Sequence, residues 1–323
     1  MKVSTHVWSQ VPRDFCDKLH EFERQFDYPL NAQHRFRIEH SVDYTKFFAA
    51  MGEAATIVVE REGTILGVLS ATIRTLELER GNSESWLYIG DVKISPKHRG
   101  KRVLHLLFAA TRTWVGGRCS KGYSVVMGGT NVTPSMYTGR VGIPAFQPVA
   151  SVSLLAYSTD GTTTSSKQTV DVETIPQSKF DPVDRGLQTR RLKWPRWVQT
   201  DPRLRSDMEP YWLFHQETGC FALLEDTRRA KRLYDNVGDE IRFAHLTNLW
   251  YEDIDHIQPI IELACAMSRL AGNAELLVCI PQSMQDEMLK RLPEMDTPRV
   301  LEATVFATET EVSATLPIWS SEI

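Results

Sequence analysis

The sequence is poor in cysteine, and what it has builds no framework. Its 323 residues include five cysteines, Cys16, Cys119, Cys220, Cys265 and Cys279. They are odd in number, far apart and free of any C-x-x-C pair, which argues against a disulfide scaffold, a zinc ribbon or a redox dithiol and for a reducing compartment. Long apolar runs are also missing. No uncharged stretch approaches the roughly 20 residues needed to cross a bilayer. The opening segment, MKVSTHVWSQVPRDF, is broken by polar residues and Pro12 and lacks the apolar core of a secretory signal. A cytoplasmic protein without a membrane partner is expected. Nor is there an excess of positive charge: Lys plus Arg count 37 and Asp plus Glu 41, a formal net charge of −4. Nucleic acid is therefore not an expected partner. The nine histidines show no spacing that gathers three ligands with a carboxylate, so no metal is expected.

What is present is a globular composition, 42% hydrophobic and 24% charged, in a chain long enough for two ordinary domains. Phe15, Leu19, Phe22 and Phe26 recur at helical spacing behind Pro12, and a second, shorter helix is expected from about Val42 to Met51. The period then changes. Residues 56–60 and 64–72 are β-rich runs joined by Arg61, Glu62 and Gly63, a hairpin signal, and a third strand follows over 86–94. Val103, Leu106, Leu107, Ala110 and Trp114 share one face of a helix that Gly116 ends. A strand over 123–127, a helical stretch around 135–140 and a strand over 146–157 complete an α/β domain within residues 1–160.

Residues 161–207 read as a linker, polar at first and then rich in Arg185, Arg190, Arg191, Lys193, Arg196, Arg203 and Arg205 among tryptophans and prolines. Over 208–323 the same order of elements returns: strands near 211–215, 220–225 and 243–250, a helix over 259–270, a strand over 276–280, a helix over 284–292, and strands near 300–307 and 312–316. The repeat lies in element order and hardly at all in identities.

One segment carries chemistry. In DVKISPKHRGKRVLHLL, residues 91–107, a strand turns tightly into a helix. Such a turn delivers backbone amides without intrahelical partners to a helix N-terminus, where the dipole also favours negative charge, and this makes an anion site. The segment resembles the coenzyme-A-binding signature of the GNAT superfamily of N-acetyltransferases, in which a strand ending Val-x-Val-x-Pro runs through Arg-Gly-x-Gly-x-Gly into a helix. The resemblance covers roughly residues 55–157. Val92, Ile94 and Pro96 match the strand end, and Arg99, Gly100 and Lys101 the start of the loop. Arg102 and Leu104 stand where the family has its second and third glycines. The resemblance implies that Val92, Ile94, Arg99, Gly100, Lys101, Arg102, Val103 and Leu104 bind acyl-coenzyme A, acetyl-coenzyme A above all, as cosubstrate.

NVTPSMYTGRVGI, residues 131–143, is similar to the superfamily's next landmark, which places Asn131 at the cofactor. The strict register puts Thr138 where the family has the tyrosine that protonates the departing thiolate. Tyr137 falls one residue early and is the expected general acid, being the better acid and the longer side chain. Asp91 and Glu84, on or near the third strand, are the candidates for a general base, with Asp91 preferred. The second copy has WYEDIDHIQP, residues 250–259, where its anion loop would be, with three carboxylates and no glycine. It is expected to bind no cofactor. The implied fold is a mixed α/β tandem of two GNAT-like domains, each a mostly antiparallel sheet flanked by helices. The implied activity is acyl transfer from acyl-coenzyme A to an amine of a small-molecule or peptide acceptor. A non-catalytic acyl-coenzyme-A-binding or interaction protein is the alternative.

Overall fold

The structure is a computed structural model that describes residues 3–29, 35–78, 82–137, 139–140, 142–160, 172–179, 195–198, 200–292, 297–308 and 316–323. Strand β1 (Val3–Trp8) lies at a sheet edge with Val3 and Val7 facing outward, so its residues carried no core signal. Pro12 starts α1 (Arg13–Glu23), which buries Leu19 and Phe22. After β2 (Tyr28–Pro29) and β3 (Arg35–His40), the helix expected over 42–51 shrinks to α2 (Lys46–Ala49). The hairpin is present: β4 (Glu53–Arg61) and β5 (Thr64–Glu77) meet at Glu62 and Gly63, at φ 52° and 80°. Two left-handed residues give the turn whose twist matches that of the strands.

β6 (Ser83–Ile94), α3 (Val103–Val115) and β7 (Lys121–Met127) follow as expected. The stretch around 135–140 is not an α-helix but a 3-10 turn, Pro134–Tyr137. Gly139 and Gly142 beyond it sit at φ 71° and 78°, which ends helical geometry. β8 (Gln147–Ser158) closes the first half.

The segment read as a linker contributes a strand to each half. β9 (Val172–Pro176) pairs with a second-half strand and β10 (Arg196–Val198) with β5. Then come β11 (Tyr211–His215), β12 (Phe221–Asp226), the hairpin β13 (Lys231–Asp235) and β14 (Glu240–Ile241), β15 (Phe243–Trp250), α4 (Gln258–Leu270), β16 (Glu275–Pro281), α5 (Gln285–Arg291) and β17 (Arg299–Ala307). Of the strand expected near 312–316, residues 312–315 lie outside the described residues.

Thirteen of these strands form one sheet in the order β1-β4-β5-β6-β7-β17-β8-β16-β15-β12-β11-β9, with β10 on β5. Its two parallel pairs are β6 with β7 and β15 with β16, bridged by α3 and α4 respectively. Each half is thus an antiparallel run, a crossover helix and one parallel strand. The middle strands are exchanged: β17, from the end of the chain, lies against β7, whereas β8 lies against β16. A second sheet pairs β3 of the first half with β13 of the second. Chain order and spatial order therefore differ at the join.

Helices cover the halves unequally. In the first half, Leu19, Phe22, Phe47 and Phe48 pack one sheet face and Val103 and Leu107 the other. With both faces covered, β4 is a continuous buried run rather than an alternating one. In the second half, Ile260, Ile261, Ala264 and Cys265 of α4 cover one face. On the other, among the described residues, an aromatic cluster of Trp212, Phe221 and Trp250 stands in place of helices.

Candidate active site

The register of β5 and β6 slips by one residue, so that Asp91 and Val92 together oppose Leu69, and Asp91 takes a left-handed φ of 56°. This is a β-bulge. Beyond the pair Tyr88 and Tyr123, β6 and β7 stop pairing, although β6 continues to Ile94 and β7 to Met127. The strands splay into a V whose facing backbone edges are unpaired among the described residues. Backbone N–H and C=O groups held apart in this way are ready to bind an amide-bearing ligand or water.

The strand leads into the expected loop. Pro96–His98 make a 3-10 turn, Arg99 is extended, and Gly100 and Arg102 sit at φ 76° and 53°. Arg102 thus takes on itself the left-handed conformation for which glycine is the usual residue. The first bond that closes α3 runs from the Leu106 N–H to the Arg102 carbonyl, and no side chain caps the helix. The amides of Val103 and Leu104 therefore have no intrahelical partner. Gly67 on β5 lets this helix end come close, because a Cβ there would stand 2.7 Å from Val103 Cγ1. Among the described residues, Arg61, Lys97, Arg99, Lys101 and Arg102 make no ion pair. Partial desolvation first, then the nearby cations Lys101, Arg61 and Lys97, push the His98 pKa down.

Behind the bulge lies a buried charged cluster that no sequence motif announced, because its members come from α1, β3, β6 and the turn before α2. Lys93 Nζ is 2.7 Å from Glu23 and 2.6 Å from Asp91, and His40 Nδ1 is 2.7 Å from Glu23. The Tyr44 hydroxyl donates to Asp91. Burial opposes both charges, yet Asp91 and Glu23 hold the Lys93 ammonium above the usual lysine range, and Lys93 and His40 hold Glu23 well below the carboxylate range. Glu23, His40 and Asp91 could together approach one metal ion. Lys93 is already the cation among them.

Charge pairing continues along the join between the halves. Arg74 binds Glu322 at 2.6 Å, Arg205 binds Glu225 at 2.6 Å, and Lys231 Nζ donates to the Ile323 carbonyl. Burial first, then the Arg205 guanidinium, pull the Lys231 ammonium down to about 7.

The second half repeats the V. Asn248 in β15 sits at φ 51° beside a register slip, and the parallel pairing with β16 ends at Leu246 and Val278. The anion loop is not repeated. No residue over 250–259 has a positive φ, Asp253 caps the Asp255 N–H, and Arg291 pairs with both carboxylates. Instead a cavity of about 730 Å³ opens at this V. Its walls include Trp212, Phe221, Trp250 and Met284, its floor Val152, Cys279 and Val305, and its near end Trp197 and Trp319.

No protein-family model and no curated protein matches the sequence. Solved structures do match. A Saccharomyces cerevisiae N-myristoyltransferase with bound myristoyl-CoA aligns at a TM-score of 0.61 and 11% identity, over 94% of this chain and 78% of that one. A second structure of the yeast enzyme with bound myristoyl-CoA aligns at 0.59, over 94% and 82%. A conserved Enterococcus faecalis protein of unknown function, a probable N-acyltransferase, aligns at 0.50 and 9% identity, over 94% and 72%. The chain has a tandem GNAT fold. At such identities the likeness speaks for the fold alone.

Within the tandem GNAT fold, the structure gathers Asp91, Val92, Ile94 and residues 99–104 at the first V and its loop. Val92 is 42% exposed at the bulge. Asn131 is exposed after β7, and Tyr137 ends the 3-10 turn. The Tyr137 side chain and Thr138 lie outside the described residues. Glu84 holds Lys121 at 3.0 Å and accepts from the Trp86 indole, far along β6 from the bulge. Of the basic linker residues, Arg196 binds Glu77 of the first half and Arg205 binds Glu225 of the second. Arg185, Arg190, Arg191 and Lys193 lie outside the described residues.

Proposed function

We propose that the protein is an acyl-coenzyme-A-dependent N-acyltransferase that moves a short acyl group, acetyl, to an amine. The observation that carries this reading is the pairing of a splayed, bulged strand with a left-handed loop, Gly100 to Arg102, in the first half only. The pyrophosphate rests on the amides of Val103 and Leu104, and Arg99, Lys101 and Arg102 add charge to the same place. The pantetheine arm, which bears two amides, pairs with the free edges of β6 and β7, beside Val92 and Ile94. Asn131 contacts the cofactor from the loop after β7.

The thioester carbonyl then lies at the bulge, where a backbone N–H stabilises the oxyanion that forms when the neutral amine attacks. The tetrahedral adduct gives up its nitrogen proton to water, the C–S bond breaks, and Tyr137 gives its proton to the departing thiolate and regains one from solvent. Asp91 serves through its backbone at the bulge, since its carboxylate is committed to Lys93 and Tyr44. The same cluster supports a short acyl group: a long aliphatic chain pushed behind the bulge would desolvate paired charges. The acceptor enters by the cavity, whose near end at Trp197 stacks on Tyr123 at the vertex of the first V.

Calorimetry with acetyl-coenzyme A and with myristoyl-coenzyme A tests the reading. Acetyl-coenzyme A should bind, and Gly100→Pro should weaken it by fixing a wrong φ and removing a donor. Absence of binding at millimolar acetyl-coenzyme A, or equal preference for the myristoyl thioester, refutes it. Once an acceptor is known, thiol release should fall about 10²-fold or more in Tyr137→Phe with cofactor affinity unchanged, and change little in Thr138→Val.

A further inference from the structure

Asp91 takes its left-handed φ of 56° near the end of β6, where a register slip sets it and Val92 together against Leu69. It is the one residue of β6 and β7 with a positive φ. Neither Asp91 nor Val92 has a ladder partner on β5 or on β7 among the described residues. Backbone pairing therefore does not hold this conformation. A Cβ makes it unfavourable, and a left-handed residue persists only where its surroundings fix it.

What fixes it is the side chain. The Asp91 carboxylate is 6% exposed, with one oxygen 2.6 Å from Lys93 Nζ. The other oxygen accepts from the Tyr44 hydroxyl. Lys93 Nζ donates to the Tyr44 oxygen at 3.1 Å as well, so that Asp91, Lys93 and Tyr44 close a triangle. Behind it, Lys93 donates to Glu23 at 2.7 Å, and Glu23 is held at both oxygens by His40, whose Nδ1 lies 2.7 Å from one and whose backbone N–H donates to the other at 3.0 Å. Glu23, His40 and Lys93 are buried. Buried charges that served only to pin α1 and β3 to the sheet would be replaceable by packed apolar groups without loss of stability. Here they converge on the bulge instead. Val92 lies on the open side of that bulge, and the conformation of Asp91 sets where the Val92 N–H points.

From this geometry we infer that Lys93 and Tyr44 are positioning residues of the transfer: by gripping the Asp91 carboxylate they hold its backbone left-handed and so aim the Val92 N–H at the thioester oxygen. Glu23 and His40 hold Lys93 in place. The inference rests on the acyltransferase reading and assigns a role in it to a cluster that acts only through the backbone. One residue at position 91 needs no grip. Glycine takes a positive φ without help, so it keeps the bulge after the carboxylate is gone, whereas alanine does not.

The thioester carbonyl stretch of bound acetyl-coenzyme A, carbon-13-labelled at that carbonyl and read by isotope-edited infrared spectroscopy, reports an N–H aimed at its oxygen and needs neither acceptor nor turnover. Wild-type protein should move this band below its position in solution. Asp91→Ala and Lys93→Met should lose most of the shift and Tyr44→Phe part of it. Asp91→Gly, alone or combined with Lys93→Met, should keep it. Alanine and glycine at position 91 both remove the ion pair with Lys93, so a merely structural cluster gives the two variants the same band. Circular dichroism confirms that each variant is folded; should Lys93→Met fail to fold, the contrast at position 91 still decides. Equal bands in Asp91→Ala and Asp91→Gly overturn the positioning role and leave the transferase reading standing. So does a bound thioester that shows no shift in the wild type. Absence of binding at millimolar acetyl-coenzyme A overturns the transferase reading and this inference with it.

Discussion

Replacing Gly67 by alanine tests how the fold sets the cofactor loop. Gly67 lies in β5 with ordinary backbone angles, so it is space and not φ that demands glycine there. An added Cβ would meet Val103 Cγ1 at 2.7 Å, the Lys93 carbonyl at 3.0 Å and Leu107 Cδ1 at 3.3 Å. Carbon atoms rest at about 3.5 to 4.0 Å, so roughly 1 Å must be found. Lys93 cannot yield it, because its strand is paired on β5 at Val68. Val103 cannot turn away, because a β-branched side chain in a helix has essentially one rotamer. The N-terminal turn of α3 must therefore retreat. Overpacking of this kind costs about 1 to 3 kcal/mol, read as a lower urea midpoint at unchanged slope. Because the same turn carries the amides of Val103 and Leu104, acetyl-coenzyme A affinity should fall roughly tenfold, about 1.4 kcal/mol. Unchanged stability would refute the packing argument. A loss of stability with full affinity would refute the claim that these amides hold the pyrophosphate.

Three further outcomes are expected. Lys231, drawn down to about 7 in the folded protein from an ordinary 10.5, is protonated in the unfolded chain and not in the native one between those values. Stability should therefore rise with pH through that window by up to about 1.4 kcal/mol per unit; urea denaturation of wild type and Lys231→Met at pH 7 and 9 measures the difference, and parallel profiles count against the burial argument. Glu225→Ala leaves the Arg205 guanidinium buried without its partner and should cost about 3 to 5 kcal/mol, whereas the apolar double variant Arg205→Met, Glu225→Leu should recover most of it; a double variant as unstable as the single one refutes the account. Raising salt should weaken acetyl-coenzyme A binding, since the cations at residues 97–102 are exposed and unpaired among the described residues, and a salt-independent Kd would show that they lie away from the phosphates.

Local chemistry made the first half legible. Helical spacing behind Pro12, the Glu62 and Gly63 turn, and the run from Ile94 through Gly100 into α3 each depend on neighbours in the chain, and each forms where it was expected. The same holds for β15, α4 and β16, which is why the repeat could be read from order without identities. The strand, loop and helix of the expected anion site were legible, with Arg102 where the family has glycine; its backbone shows that arginine accepts a left-handed φ there. What the sequence withheld depends on contacts between residues distant in the chain. β1 has its side chains half in solvent, and β3 and β10 are short strands that exist because β13 and β5 offer them a ladder. The exchange of β8 and β17 follows from both strands being apolar enough to sit in the middle of a sheet, so that only the closed assembly chooses their order. Asp91 read as a candidate general base until Tyr44 and His40 were brought to it from two other parts of the chain, beside Lys93 of its own strand. The cavity at the second V was invisible for the same reason: its tryptophans lie at 197, 212, 250 and 319, with no periodicity to join them, and only the tertiary fold brings them around one cavity.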